Sequence, residues 1–252
     1  MRAMAMDPGI TMPTDAGAAT SEGAARLRLL QLVSPALPVG AFSYSEGLEW
    51  LVQAGRIPDG PALQRWLEAE LGRGALCLEV AALALLRQGL QRWRSGDGNG
   101  ALAARDLDGW LLALREAPEL RAQQRQMGAS LLQLLADLGW PLPQPEPGGD
   151  GPPNLAWPAA FAWAGLCLEI GSPALEEAYL YGWTANQISA AVRLVPLGPT
   201  EGQRLQLRLA PLIAERASLL AAADPHQLWS GGVGAGLAQL RHAELYSRLF
   251  RS

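Results

Sequence analysis

The sequence contains no lysine, and all 20 of its basic residues are arginine. Without lysine, the chain cannot form a Walker A phosphate loop, a Schiff base or a Ser-Lys catalytic pair. Several classes of nucleotide-dependent and covalent enzyme are therefore excluded. If the protein takes part in nucleotide chemistry, a partner has to supply the nucleotide site.

Cysteine and histidine are also scarce, with only Cys77, Cys167, His226 and His242 in 252 residues. The two cysteines lie far apart in apolar surroundings, so no disulfide framework is expected. A tetrahedral zinc site would need nearly all four side chains, gathered from distant places. The net charge of −4 argues against nucleic acid as a partner. We expect no resident metal or cofactor.

Long apolar runs and a recognisable leader are absent as well. The longest apolar stretch, Leu155 to Leu168, is interrupted by Pro158 and is shorter than the roughly 20 residues that span a bilayer. The start of the chain lacks the basic and continuous apolar parts of a secretory signal. These features predict a cytoplasmic protein without membrane association, and a flexible extension at residues 1–22.

Apolar residues at helical spacing are abundant. Leu63, Trp66 and Leu67 are one example of the three- and four-residue spacing, and strand-like alternation is nowhere sustained. The pattern predicts an all-α, single-domain bundle of about eight to ten helices over residues 23–252. The Pro- and Gly-rich segment 140–158 is expected to be a long surface loop, because the helices flanking it are too apolar to stand alone.

The stretch from Ser34 to Glu49 is the most specific part of the sequence. Pro35 and Pro38 should end the first helix, because each proline also disfavours helix in the residue before it. Ser43 and Glu46 have capping-box spacing, which predicts a second helix starting at Tyr44 and ending near Gly55. No G-x-S-x-G elbow or nearby histidine supports a catalytic serine here.

Two further helix starts follow from capping patterns. Ser172 precedes Pro173, a proline suited to the first helical position. Thr200 with Gln203 forms a second capping-box spacing.

The C-terminal segment, residues 237–252, combines aromatic side chains with arginines. Leu237 to Phe250 is interpreted as an amphipathic helix, followed by a short end. Aromatic residues and arginine are typical of interface hot spots. The tail can equally dock on the core of its own chain, and the composition does not decide between the two.

Three motifs in this order resemble the urease accessory protein F family. They are SPALPVGAFSYSEGLE at 34–49, the segment from Tyr179-Leu-Tyr through RLVPLG at 193–198 to Gly202-Gln203, and YSRLFRS at 246–252. One departure is Ala243, where the family commonly has glutamate after the histidine. The positions of the first two motifs that we single out are Ser34, Pro35, Pro38, Gly40, Phe42, Ser43, Tyr44, Glu46, Gly47, Gly202 and Gln203.

The resemblance implies an all-α, non-catalytic, homodimeric maturation factor for urease. Its expected partners are accessory protein D, called H in some organisms, the nickel-binding GTPase accessory protein G, and apo-urease. Nickel and GTP then act through these partners. In this family the tail becomes ordered against the D-type partner and supports GTPase recruitment, so Arg248 is the single residue whose role carries over, with a guanidinium suited to bidentate contacts that organise a tail. The residues that we expect to bind a partner are Tyr246, Ser247, Arg248, Leu249 and Phe250.

Two other functions remain open at this point. One is a helical enzyme whose acid-base groups are carboxylates brought together by folding, and the other is a generic helical adaptor. A pocket lined by close carboxylates with shifted pKa values would favour the enzyme. The sequence also leaves open whether GTP hydrolysis by the partner is stimulated or restrained, although the scarcity of catalytic groups favours scaffolding.

Overall fold

The computed structural model describes residues 17–143 and 154–252. Within them lie ten α-helices, two short 3₁₀ turns and no β-strand, which confirms the all-α prediction. The helices are α1 (Gly17–Leu32), α2 (Leu48–Gln53), α3 (Gly60–Arg73), α4 (Ala75–Arg94), α5 (Gly98–Ala113), α6 (Pro118–Asp137), α7 (Trp157–Cys167), α8 (Ala174–Leu194), α9 (Pro199–Ala221) and α10 (Val233–His242).

Helix α4 forms the centre of the bundle and contacts α3, α5, α7, α8 and α9. Its side chains from Leu76 to Leu83 are all buried, and Glu79 is the one charged residue among them. Helix α7 is apolar on all sides and is buried in the same way. Helices α4 and α5 cross closely, because a Cβ atom at Gly100 would lie only 2.6 Å from the carbonyl oxygen of Gly89.

Helix α1 ends where it was predicted to end, but the corner that follows it differs from the prediction. Helix α1 ends at Leu32, before Pro35, as predicted. The capping box was wrong: Ser43 lies in a 3₁₀ turn, and α2 begins only at Leu48 after Gly47, which has a φ of 86°. Glu46 is not helical, with a φ of 52°, and its carboxylate binds other partners that are described below.

The other two capping predictions were also wrong. Helix α8 begins at Ala174, and the Ser172 hydroxyl donates to Glu176 instead of accepting a backbone N–H. Helix α9 begins at Pro199, one residue before Thr200, because proline is suited to the first position of a helix. Gln203 is exposed and caps nothing.

The predicted C-terminal helix is shorter than expected. Helix α10 ends at His242, and the chain continues without helix through Leu249 and Phe250. The backbone N–H groups of these two residues donate to a carboxylate on α2 instead of to helix carbonyls.

Two predicted segments fall partly outside the described residues. Most of the expected extension, residues 1–22, is not described, and α1 begins at Gly17. The expected loop, residues 140–158, contains the undescribed residues 144–153, and α7 begins at Trp157. Among the described helices, none is long and apolar enough to cross a membrane.

Candidate functional site

Residues 243–252, which follow α10 and are called the tail from here on, lie on the corner formed by residues 34–49. Both the backbone N–H and the hydroxyl of Ser45 donate to the carbonyl oxygen of Ser252, at 2.6 and 2.7 Å. The Glu46 N–H reaches the same oxygen at 3.0 Å, and Arg251 N–H donates to Ser43 O at 2.8 Å. The two segments that carried most of the family resemblance thus form one contact.

Glu49 on α2 is the main acceptor for the tail. Its carboxylate receives the backbone N–H groups of Leu249 at 2.7 Å and Phe250 at 3.0 Å. Glu49 is only 2% exposed, so each of these bonds is made in a largely dry site, where an unpaired carboxylate would be costly. Sequence patterns assigned Glu49 no role, although a charged residue within the apolar run LEWL indicates a buried partner.

His242, the last residue of α10, links two carboxylates beneath the tail. Its Nε2 atom lies 3.2 Å from Glu49 and its Nδ1 atom 3.1 Å from Glu119 on α6. The ring is fully buried. A neutral imidazole has one N–H, so both contacts are hydrogen bonds only when the ring carries two protons or a carboxyl group carries one. His242 therefore joins α2, α6 and α10.

Arg248 completes this side of the tail. Its guanidinium contacts Glu119 at 2.5 Å, so Glu119 bridges His242 and Arg248. The Gln53 side chain also donates to the carbonyl of Ser247, at 3.4 Å.

Phe250 anchors the other side of the tail. It is 4% exposed, and the Arg193 guanidinium lies 4.7 Å from the centre of its ring, within cation–π range. Arg193 also donates to the carbonyl of Phe42, at 3.1 Å. The RLVPLG motif therefore meets the other two motifs here, and all three form one site.

The tail side chains assigned to partner binding divide into two groups. Phe250 points inward and Arg248 is paired, so both hold the tail in place. Tyr246 is fully exposed and Leu249 is 58% exposed, so they are available to a partner. The tail thus docks on its own core and also presents Tyr246 and Leu249 outward, while partner binding by these side chains stays a prediction.

The motif residues of the corner mostly shape its turns. Ser34 accepts the N–H of Ala36 in the turn that contains Pro35 and Pro38. Tyr44 is buried, whereas Phe42 is exposed. Gly40 has a φ of 73°. Gly202 allows α8 and α9 to approach, since a Cβ there would lie 3.2 Å from Ile188.

A buried polar cluster lies behind the corner. The guanidinium of Arg115 pairs with Glu79 on α4, and Glu79 also accepts the Tyr179 hydroxyl at 2.8 Å and the Gln124 amide at 3.2 Å. Burial and the neighbouring Glu79 carboxylate raise the pKa of Tyr179 well above its ordinary value. Each oxygen of Glu79 is therefore held by donors, as a buried charge requires.

Glu46 extends this cluster toward the tail. Its two carboxylate oxygens accept the Gln123 amide at 2.8 Å and the Trp183 indole N–H at 2.9 Å. Burial raises the pKa of this carboxyl, in spite of the opposing Arg115 charge. The side-chain oxygen of Gln123 in turn accepts a hydrogen bond from the Ser252 hydroxyl, so the cluster and the tail share one hydrogen-bond network.

The contacts of this site hold the tail against the protein. Its carboxylates already accept hydrogen bonds or ion pairs, and among the described residues of the site no serine or cysteine lies beside a histidine that could activate it. In the described part of the chain, no group of three His, Cys, Asp or Glu side chains is placed to hold a metal ion. His226 lies elsewhere, against Trp110 with ring centres 4.6 Å apart.

The family model and the individual relatives found by comparison with known proteins all carry the same family name. The family model named UreF matches residues 57–210. The urease accessory protein UreF of Alkalilimnicola ehrlichii is 42% identical over 92% of this chain and 98% of its own length. The protein of the same name from Synechocystis is 39% identical over 91% and 99%, and that of Cupriavidus taiwanensis is 38% identical over 90% and 97%.

Proposed function

This chain belongs to the UreF family of urease accessory proteins, and we propose that it acts as a non-catalytic assembly factor in urease maturation. In this proposal a cytoplasmic homodimer of the chain joins the D-type (or H-type) accessory protein to the GTPase accessory protein G, and the complex loads nickel into apo-urease. The observation that carries the proposal is the docked tail, which is fixed from within and displays Tyr246 and Leu249 outward.

The tail is suited to binding because it is already ordered on the protein. Glu49, Glu119 and Phe250 hold its backbone and inner side chains. A segment that is fixed before binding loses less conformational entropy when a partner arrives. Tyrosine is also among the residues that contribute most to protein interfaces. Tyr246 and Leu249 are therefore the residues that we assign to direct contact with the D-type partner.

Helix α10 offers a second apolar surface directly before the tail. Val233, Leu237 and Leu240 follow helical spacing and are 80%, 49% and 40% exposed. Three apolar side chains on one exposed face are typical of a helix that packs on a partner. We assign the D-type protein to this α10 stripe because the stripe leads directly into the tail.

The nucleotide and the nickel belong to partners in this proposal. The chain has no lysine for a phosphate loop. The GTPase therefore supplies the nucleotide site, and the present protein positions it. An arginine supplied in trans is one physical route to faster hydrolysis. We propose scaffolding instead, because the tail arginine Arg248 is already paired with Glu119.

Co-purification and complementation test the proposal. Tagged protein is expected to retain the D-type and G-type proteins, and to restore urease activity in cells that lack their own chain of this family. Failure to retain either partner from cells that express both would overturn the proposal. Turnover of GTP by the G-type protein should change little on addition of this chain. A large acceleration that one Arg→Ala substitution abolishes would contradict scaffolding.

A further inference from the structure

A cavity of about 210 Å³ lies beside the corner formed by residues 34–49. Its volume is far above the roughly 10–15 Å³ that a single water needs. Most of its wall is apolar or aromatic, and a polar end carries Glu46, Glu79 and Gln124. The larger apolar wall residues are Leu32, Phe42, Met127, Trp157, Phe161 and Trp183.

The polar end of the cavity has unused hydrogen-bond acceptors. Gln124 is 5% exposed, and its Oε1 atom has no hydrogen-bond partner among the described residues. Its amide nitrogen is occupied by Glu79. The Tyr179 hydroxyl, a donor on the cavity wall next to Gln124, is also used by Glu79. An occupant that satisfies this end must therefore donate hydrogen bonds.

Among the described residues, no basic side chain lines the cavity itself. Glu79 is paired with Arg115, whereas Glu46 has no ion-pair partner in the described part of the chain and is held only by a neutral amide and an indole. The backbone of Glu46 is left-handed, with a φ of 52°, a conformation that costs free energy for a residue other than glycine. The carboxylate at this end of the cavity is therefore carried by a residue with a strained backbone.

We propose that the cavity binds an organic cation, namely a guanidinium or alkylammonium group on an apolar stem. The charged group donates to Glu46 and to Gln124 Oε1, and the stem packs against Trp157, Phe161 and Trp183. Aromatic faces also attract a cation directly. A bare Ca²⁺ or Mg²⁺ ion fits less well, because Glu46 and Glu79 are the only carboxylates that the described residues place on the wall, and these two ions take six or more oxygen ligands.

The cation has two possible sources with the same chemistry: a free small molecule, or an arginine or lysine side chain of another protein. Calorimetric titration of the full chain with n-butylguanidinium tests the site itself. The neutral n-butylurea has nearly the same shape and serves as the matched ligand. We expect binding of the guanidinium compound only. Equal binding of both compounds, or no binding of either, would overturn the proposal.

Two variants localise the binding to this cavity. Glu46→Gln is expected to weaken n-butylguanidinium binding at least about tenfold, since a hydrogen bond to a charged group is lost. Glu201→Gln removes the same charge from the exposed face of α9 and should leave the affinity unchanged. If Glu46→Gln does not fold, Gln124→Met takes its place, with the same expectation. Wild-type affinity in a folded cavity variant would refute the assignment.

Blocked amino acids separate the two sources. Nα-acetyl-arginine methylamide carries the guanidinium on a peptide unit, and the citrulline analogue is its neutral counterpart. Binding of the arginine compound at least as tight as that of n-butylguanidinium assigns the site to a protein side chain. If n-butylguanidinium binds and the arginine compound does not, the site is assigned to a free small molecule. The inference does not rest on the proposed function, since these titrations need no urease partner.

Discussion

Ser45 and Ser252 lie 207 residues apart in sequence, yet the N–H and hydroxyl of Ser45 both donate to the Ser252 carbonyl oxygen. Both residues are buried. This contact joins the corner at residues 34–49 to the C-terminal tail. The turns of this corner, which the sequence related only to their own neighbours, therefore hold the tail in place and help to determine which of its side chains face outward.

Glu49→Gln should release the tail. The variant removes the charge that accepts the N–H groups of Leu249 and Phe250, and hydrogen bonds to a charged group contribute about 1.5–3 kcal/mol. Because the chain has no lysine, trypsin cuts only after arginine, and Arg248 lies in the tail. We expect cleavage after Arg248 to become roughly tenfold faster or more.

Glu244→Gln is the matched control for this experiment. It removes the same charge from an exposed contact with Arg241 close to the tail. Its cleavage rate at Arg248 should equal that of the wild type. An unchanged rate in Glu49→Gln would contradict the role of Glu49 as the main acceptor.

Gly47→Ala should separate α2 from α10. A Cβ atom at Gly47 would lie 2.8 Å from the backbone nitrogen of Gln239, which cannot move independently of its helix. Gly55→Ala is the matched control, because its φ of 67° is also left-handed but no atom lies within 4 Å of the added carbon. Both variants carry backbone strain of order 1 kcal/mol. Urea unfolding should therefore give a clearly larger loss of stability for Gly47→Ala, and equal losses would refute the steric contact.

The sequence predicted what depends on neighbouring residues and missed what depends on distant ones. The end of α1 before Pro35 follows from the restricted backbone of proline. The capping box at Ser43 and Glu46 had the correct spacing, but Glu46 is claimed by Gln123 and Trp183, 77 and 137 residues away. No pattern of neighbouring residues indicates that Glu46 binds these distant side chains instead of capping a helix.

The candidate site shows the same division. Arginine and aromatic content singled out the tail, and the buried Phe250 shows that the tail docks on its own core, while the interface interpretation stays a prediction for the exposed Tyr246. The residues that hold the tail, Glu49, Glu119 and His242, come from three helices and were not predicted together. A charged residue inside an apolar run was the available signal, at Glu49 and again at Glu79.

Asp108 should make stability depend on pH. It accepts the N–H of Ala156 at the start of α7, and burial raises its pKa to about 6 from 3.8. Between these values the folded protein keeps a proton that the unfolded chain loses. Its contribution to the free energy of unfolding therefore falls as pH rises from about 4 to 6, by up to about 3 kcal/mol.

Asp108→Asn tests this dependence, because asparagine keeps an acceptor for Ala156 and does not titrate. The stability of the variant relative to wild type, from urea unfolding, should rise over the same pH range and level off above it. Asp106→Asn on the exposed side of α5 is the control and should give a constant difference. A constant difference for Asp108→Asn as well would contradict the shifted pKa.

Arg115→Met should be strongly destabilising. It leaves the buried Glu79 carboxylate without its ion-pair partner, and breaking a buried pair in this way costs about 3–5 kcal/mol. Arg204→Met breaks the exposed pair with Glu201, where solvent screens the charges and a much smaller loss is expected. Urea unfolding of both variants measures the difference. A loss below that of Arg204→Met would show that the buried pair does not support the fold.

The affinity of this protein for the D-type accessory protein tests the central claim most directly. The double variant Tyr246→Ala, Leu249→Ala removes only exposed side chains of the tail, and Leu102→Ala removes an exposed leucine from α5. We expect all three proteins to unfold at the same urea concentration, the double variant to bind about a hundredfold more weakly, and Leu102→Ala to bind like the wild type. Undiminished binding by the folded double variant would contradict the claim that the docked tail presents the partner-binding surface.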